Sequence, residues 1–261
     1  MNARTLGSGT QTVVLAHGFG GDQSMWDKIL PHMAANHRIV LFDWCFSGAV
    51  LDPTLYDPIR HSTYDGYAVD LIGLLEEMKV ESCVLVGHSM SGIIGCIASI
   101  KRPELFTRLV LLGASPRLIN SEDYEGGFEL SDIENMFTSI ESNFEVWSSN
   151  FPYLAVDKSD PTSADKFSKC LKRMKPEVTL SLAKTVFLGD YRDILDKVEK
   201  PCDIIQTRSD VVVPKSVPEY MQRKIKGKPT VKIIDTEGHF PHLTAHVQLV
   251  EVLDNILHVV N

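Results

Sequence analysis

An α/β fold, with a mostly parallel central sheet flanked by helices and an inserted all-helical cap, follows from three features of this 261-residue chain. Short, nearly continuous apolar runs alternate with longer helical patterns, which is the signature of parallel strands buried on both faces. The alternation stops between about residues 118 and 198, where only helix-like patches occur. One apolar run also passes through Gly87-His88-Ser89 straight into a helix-compatible segment.

The strands expected, in chain order, are Thr12–Ala16, Ile39–Phe42, Cys83–Val86, Leu109–Leu112, Asp203–Thr207 and Val231–Ile234. The helices between them are Asp22–Met33, Tyr67–Met78, Ser91–Ile100, Val217–Ile225 and Leu243–Val259. In the interrupted region the helical patches are Ser131–Ser142, Phe144–Ser149, Ser163–Met174 and Pro176–Leu188. The expected division is therefore a sheet-bearing core of residues 1–117 and 199–261 with a cap of residues 118–198 laid over the sheet's active edge. Aromatic residues concentrate in the cap, so an apolar cavity is expected between cap and sheet.

Composition narrows the function. Basic residues number 26 against 34 acidic, net −8, with no basic run, so nucleic acid and anionic membranes are not expected partners. Five scattered cysteines fit buried free thiols in a reducing compartment better than a disulfide frame or a metal site. No apolar signal region follows Met1, and no run is long enough to span a membrane, so a soluble intracellular protein is expected.

The chemistry lies in Gly87-His88-Ser89-Met90-Ser91. A serine on a tight strand-to-helix turn has its hydroxyl pushed outward and neighbouring N–H groups turned toward the reacting atom. The pattern alone is weak, and Ser91 stands where glycine is usual. The flanking strand and helix raise its weight. A serine nucleophile needs a base and an orienting acid. Of the nine histidines, His239 occupies the loop between the last strand and the final helix, and Asp210 ends the strand 203–207. Both therefore sit at carboxyl ends of strands, in the order Ser, Asp, His. His242 and His246 read as surface positions, and Asp190, Asp193 and Asp196 as solvated. The backbone N–H groups of Met90 and of Phe19, in the loop His17-Gly18-Phe19-Gly20-Gly21, are the expected oxyanion donors. His17 and His88 read as structural. No dinucleotide loop, phosphate loop or metal cluster is visible, so no cofactor and no metal are expected. A cofactor-free serine hydrolase is the result.

Several segments resemble the plant strigolactone and karrikin receptor family of α/β-hydrolases over nearly the whole length. They are Leu15–Gly20, Asp22–Trp26, Val86–Ser91, Ala114–Arg117, Tyr124–Phe128 and Gly238–Leu243, and Ser91 is what this family also shows. The resemblance implies a triad of Ser89, Asp210 and His239 and substrate-binding positions Phe19, Phe128, Trp147, Phe151, Phe167 and Phe187. It implies slow cleavage of an apolar butenolide-type ligand, with an F-box protein and a repressor recruited through the cap. The string Trp44-Cys45-Phe46-Ser47-Gly48-Ala49 departs from the receptors and is similar to the divergent dwarf-fourteen-like-two subgroup. The expected state is a monomer, cytoplasmic and nuclear. A small-ester or lactone hydrolase without signalling, and a ligand-binding protein with residual activity, are the alternatives.

Overall fold

The computed structural model describes residues 1–258. Seven strands form one sheet: β1 (Arg4–Leu6), β2 (Thr12–Ala16), β3 (Arg38–Leu41), β4 (Cys83–His88), β5 (Phe106–Leu112), β6 (Cys202–Ser209) and β7 (Thr230–Glu237). Their spatial order is β1-β3-β2-β4-β5-β6-β7, and every pairing is parallel except β1 with β3. All six expected strands are present. The edge strand β1 has three residues, none of them buried, and so carries no apolar run to detect.

Successive side chains of a strand point to opposite faces, and here both faces are covered. Val13 and Leu15 join Trp26, Ile29, Met33, Leu249 and Leu253 in one apolar core, while Val14 and Ala16 join the other. That second core is closed by α2 (Tyr64–Glu77) and α3 (Met90–Lys101); α1 (Leu30–Asn36) lies on the first face. Residues 118–198 carry α4 (Leu130–Ser142), α5 (Phe144–Ala155), α6 (Pro161–Lys172) and α7 (Pro176–Leu188), with isolated bridges but no strand. The chain ends with α8 (Ser216–Lys224), α9 (Pro241–Thr244) and α10 (His246–His258). No helix among the described residues is long and apolar enough to cross a membrane.

Three expected helices differ. The segment 22–33 breaks in two: Asp22 caps a short 3-10 turn at Gln23–Trp26 by accepting from the Ser24 N–H at 2.8 Å, and α1 starts afresh with Pro31 in its first turn. The terminal helix is interrupted at Ala245, and Val259 lies outside the described residues. The helix at 144 runs on to Ala155 despite Pro152. Proline lacks the N–H that would reach the Ser148 carbonyl, and the Ser168 hydroxyl from α6 donates to that carbonyl at 2.9 Å in its place.

The chain leaves β2 in one direction along the sheet and β4 in the other. The crevice beyond the carboxyl ends of β2 and β4 is therefore the switch point where such sheets bind ligands.

Candidate active site

Ser89 sits at that crevice, between β4 and α3, with φ +55° and ψ −123°. A non-glycine residue there costs about 1–3 kcal/mol, strain that clusters at functional sites. The surroundings hold it in place: the Ser89 N–H donates to the Leu112 carbonyl at 2.8 Å, and a side chain at Gly87 would meet the Ser91 carbonyl carbon at 2.6 Å. Met90 opens α3, so its N–H is one of the free donors of a helix start. Gly18 brings the other loop against the serine. A β-carbon there would fall 3.0 Å from Ser89 Cβ and 2.7 Å from His88 Nδ1. Phe19, three residues beyond β2, follows directly.

His239 and Asp210 are paired: Nδ1 lies 2.7 Å from Oδ2, with both side chains at most 5% exposed. The carboxylate also accepts the Val212 N–H at 2.8 Å and the Gln206 amide at 3.1 Å. It thus meets three donors, as a buried charge must. The far nitrogen of His239, Nε2, is buried without a protein partner. The Ser–His hydrogen bond is therefore open in this structure, although Ser89 and His239 line one cavity. Such bonds are often long before substrate arrives.

That cavity is small, about 20 Å³, room for about one water molecule. Phe19, Phe151, Phe167 and Phe187 wall it, together with Phe240 and Leu118. Phe128 and Trp147, expected beside them, do not reach it. They line a second, apolar cavity of about 640 Å³ between α4 and α5, which is within the size range of ligand pockets. Phe128 packs edge-on to Phe187, and Trp147 stacks on Phe151 with centroids 5.1 Å apart, so each is one ring removed from the serine. Phe151, Ala155 and Val212 face both cavities.

The sequence matches the Alpha/beta hydrolase family over residues 13–252. The chain belongs to that family. Within it, the chain belongs with the strigolactone esterases and karrikin receptors. It is 44% identical to a strigolactone esterase of Arabidopsis thaliana over 257 residues, covering 98% of this chain and 96% of that one. It is 43% identical to a karrikin-insensitive-2 receptor of Petunia hybrida over 258 residues, covering 98% and 95%. Among solved structures, a hydrolase from Oleispira antarctica superposes with a TM-score of 0.94 at 30% identity, covering 99% of this chain and 94% of that one.

Three further histidines, His17, His88 and His242, are buried close to the site of this alpha/beta hydrolase. The His88 Nε2–H donates to the His239 carbonyl at 2.9 Å, tying the His239 loop to the end of β4. His242 corrects the sequence reading: it is wholly buried, tilted against Trp26 with ring centroids 4.6 Å apart, and its centroid lies 4.5 Å from that of His88. Burial pushes its pKa down to about 3 and holds those of His17 and His88 below the ordinary range. The one-turn α9 folds it inward, which helix periodicity does not reveal. Asp190 is exposed, as expected, and pairs with Arg117 and Arg192.

Gln206 went unnoticed in the sequence. Its signal was a lone amide in the apolar run of β6, where it bridges Asp210 and the Val213 carbonyl at 3.1 Å each. Phe240 and Leu118 carried no signal. Among the described residues one set of metal-capable side chains converges, Cys45, His61 and Asp70, with donor atoms within 4.8 Å. Its donors are spent on one another. Asp70 takes Arg60 on one oxygen and His61 Nε2 at 2.8 Å on the other, and burial pushes the Cys45 thiol up to about 12.

Proposed function

We propose that this protein is a cofactor-independent serine hydrolase that binds and slowly cleaves an apolar ester or lactone of the butenolide type. The observation that carries the reading is the strained Ser89 turn facing, across one cavity, a histidine whose other nitrogen is bonded to a buried aspartate at 2.7 Å.

In this reading His239 Nε2 takes the Ser89 proton as Oγ attacks the carbonyl carbon. Asp210 holds the imidazole in the Nδ1–H tautomer and stabilises the imidazolium that forms. The new oxyanion is met by the N–H groups of Phe19 and Met90. The tetrahedral intermediate collapses, His239 returns its proton to the leaving oxygen, and an acyl group stays on Ser89. Water, deprotonated by His239, then releases the acid.

The cap, residues 118–198, governs access over a core of residues 1–117 and 199–261. A ligand first occupies the apolar cavity between α4 and α5. The acyl carbon reaches Ser89 only when the Phe19–Phe151 wall yields, because about 20 Å³ holds no acyl group. A slow, gated step of this kind suits a receptor as well as an enzyme. The relatives, a strigolactone esterase and a karrikin receptor, support both sides of that reading. On the receptor side the cap recruits signalling partners, an F-box protein and a repressor, and the protein acts as a monomer in cytoplasm and nucleus. Its five free, buried thiols suit those reducing compartments.

Intact-mass spectrometry after incubation with a synthetic strigolactone analogue tests this. The expected result is released product, or a ring-sized adduct on Ser89 or His239, and neither from Ser89→Ala. Full turnover by Ser89→Ala would overturn the mechanism. Turnover with no adduct and no ligand-induced thermal shift selects the plain hydrolase over the receptor.

A further inference from the structure

Trp44, the first residue of the loop that departs from the receptor sequences, is fully buried against the loop that carries Phe19. Its indole N–H forks between the His17 carbonyl at 3.0 Å and the Ser91 hydroxyl at 2.9 Å. The Ser91 hydroxyl in turn donates to the same His17 carbonyl at 2.5 Å. The backbone N–H of Trp44 donates to His17 Nε2 at 3.1 Å. His17 and Ser91 are likewise wholly buried. The two sequence departures, Trp44 and the serine standing in place of glycine, are therefore one contact.

These bonds fix more than a side chain. A backbone N–H can only donate, so His17 Nε2 must accept, and the single proton of the neutral ring sits on Nδ1. That nitrogen lies 3.0 Å from the Gly18 carbonyl oxygen, which also accepts the Gly21 N–H at 3.3 Å. The Gly18 carbonyl and the Phe19 N–H belong to one planar trans peptide and point in opposite directions. Pinning the carbonyl sets the direction of the N–H.

We propose that Trp44, Ser91 and His17 form a clamp that aims the Phe19 N–H at the developing oxyanion, making Trp44 and Ser91 positioning residues for the reaction. The inference rests on the hydrolase reading above, in which Phe19 supplies an oxyanion donor. It gives the hydroxyl of Ser91 a task that glycine cannot perform. It also gives the indole of Trp44 a task that phenylalanine of similar bulk cannot.

The test uses the full chain, p-nitrophenyl acetate as the probe ester, a trifluoromethyl ketone as a mimic of the tetrahedral state, and fluorophosphonate labelling to count competent serines. Trp44→Phe removes only the indole donor, and Ser91→Ala only the hydroxyl. Each is expected to lower kcat per labelled serine by about tenfold, short of the roughly hundredfold or greater loss of an oxyanion donor removed outright. KM should stay within about twofold, and affinity for the ketone should fall by the same factor as kcat/KM. A packing role alone would lower the labelled fraction and leave kcat per site and ketone affinity unmoved, and that result overturns the clamp. If Trp44→Phe fails to fold, Ser91→Ala decides on the same readouts. Ser89→Ala separates the two layers. Activity lost in Ser89→Ala but intact in both clamp variants removes the clamp and leaves the hydrolase; full turnover by Ser89→Ala removes both.

Discussion

Acid should unfold this protein through its buried histidines, and His242 allows the effect to be measured alone. The ring is fully buried and its pKa is pushed down to about 3 by burial first, then by the neighbouring His239, Lys166 and His17. In the unfolded chain it titrates near 6.5. Above pH 6.5 both states are neutral at this position and it contributes nothing to pH dependence. Below that, the unfolded chain takes a proton that the folded protein refuses, so stability falls by about 1.4 kcal/mol per pH unit until pH approaches 3. Between pH 7 and pH 5 the loss from this one residue is about 2 kcal/mol. That figure is set by the unfolded value and hardly depends on where near 3 the folded value lies. The perturbation is His242→Phe, which keeps an aromatic ring beside Trp26. Urea unfolding followed by tryptophan fluorescence at both pH values gives four stabilities. The wild type should lose about 2 kcal/mol more than the variant on acidification. Any packing cost of the substitution cancels in that difference, as do the aspartates common to both proteins. His17 and His88, shifted in the same direction, should leave a residual slope in the variant. Equal losses in the two proteins would refute the reasoning, because they would mean that His242 accepts its proton while folded.

Three further outcomes are expected. Asp210→Asn should keep the fold, since an amide oxygen can still accept the Val212 N–H, yet lower esterase kcat by about 10³–10⁴-fold through the wrong imidazole tautomer; steady-state kinetics with activity within tenfold of wild type would dismiss the triad assignment. Phe151→Ala should join the two cavities, raising kcat/KM for a bulky ester relative to an acetate ester, at a stability cost below the about 3–5 kcal/mol of a fully buried phenylalanine because Phe151 is only half-buried; an unchanged selectivity ratio would show that this ring is not the barrier. The five cysteines are buried, and burial pushes the thiols of Cys45, Cys83, Cys170 and Cys202 up to about 12. A thiol reagent should therefore titrate none in the native protein within minutes and five in denaturant, whereas one rapid native equivalent would contradict the packing.

What could be read from the sequence, and what could not, divides by the range of the interactions involved. The nucleophile turn is legible because its determinants are neighbours: β-branched residues to Val86, a glycine where no β-carbon fits, then a helix start. The placement of Asp210 and His239 is legible for a related reason, since each lies in the short segment that follows a strand marked by its own β-branched residues. Features decided by distant contacts were not. The helical patch expected at Phe144–Ser149 runs on through Pro152 to Ala155 because Ser168, on another helix, supplies the missing donor. His242 reads as an exposed helical position until Trp26 and His88 close over it. The aromatic content of residues 118–198 foretells an apolar lining, but which ring reaches Ser89 depends on how α4 to α7 cross. Hence Phe240, which seemed only a neighbour of His239, lines the serine cavity while Trp147 does not. The same division explains Trp44. Its departure from the receptor pattern is visible in the sequence, but its consequence lies in Ser91, 47 positions along the chain, and in the His17 carbonyl they share. Under the clamp proposed above, a substitution in that loop acts on the Phe19 N–H through backbone geometry, which an account of ligand preference built only from cavity-lining residues misses.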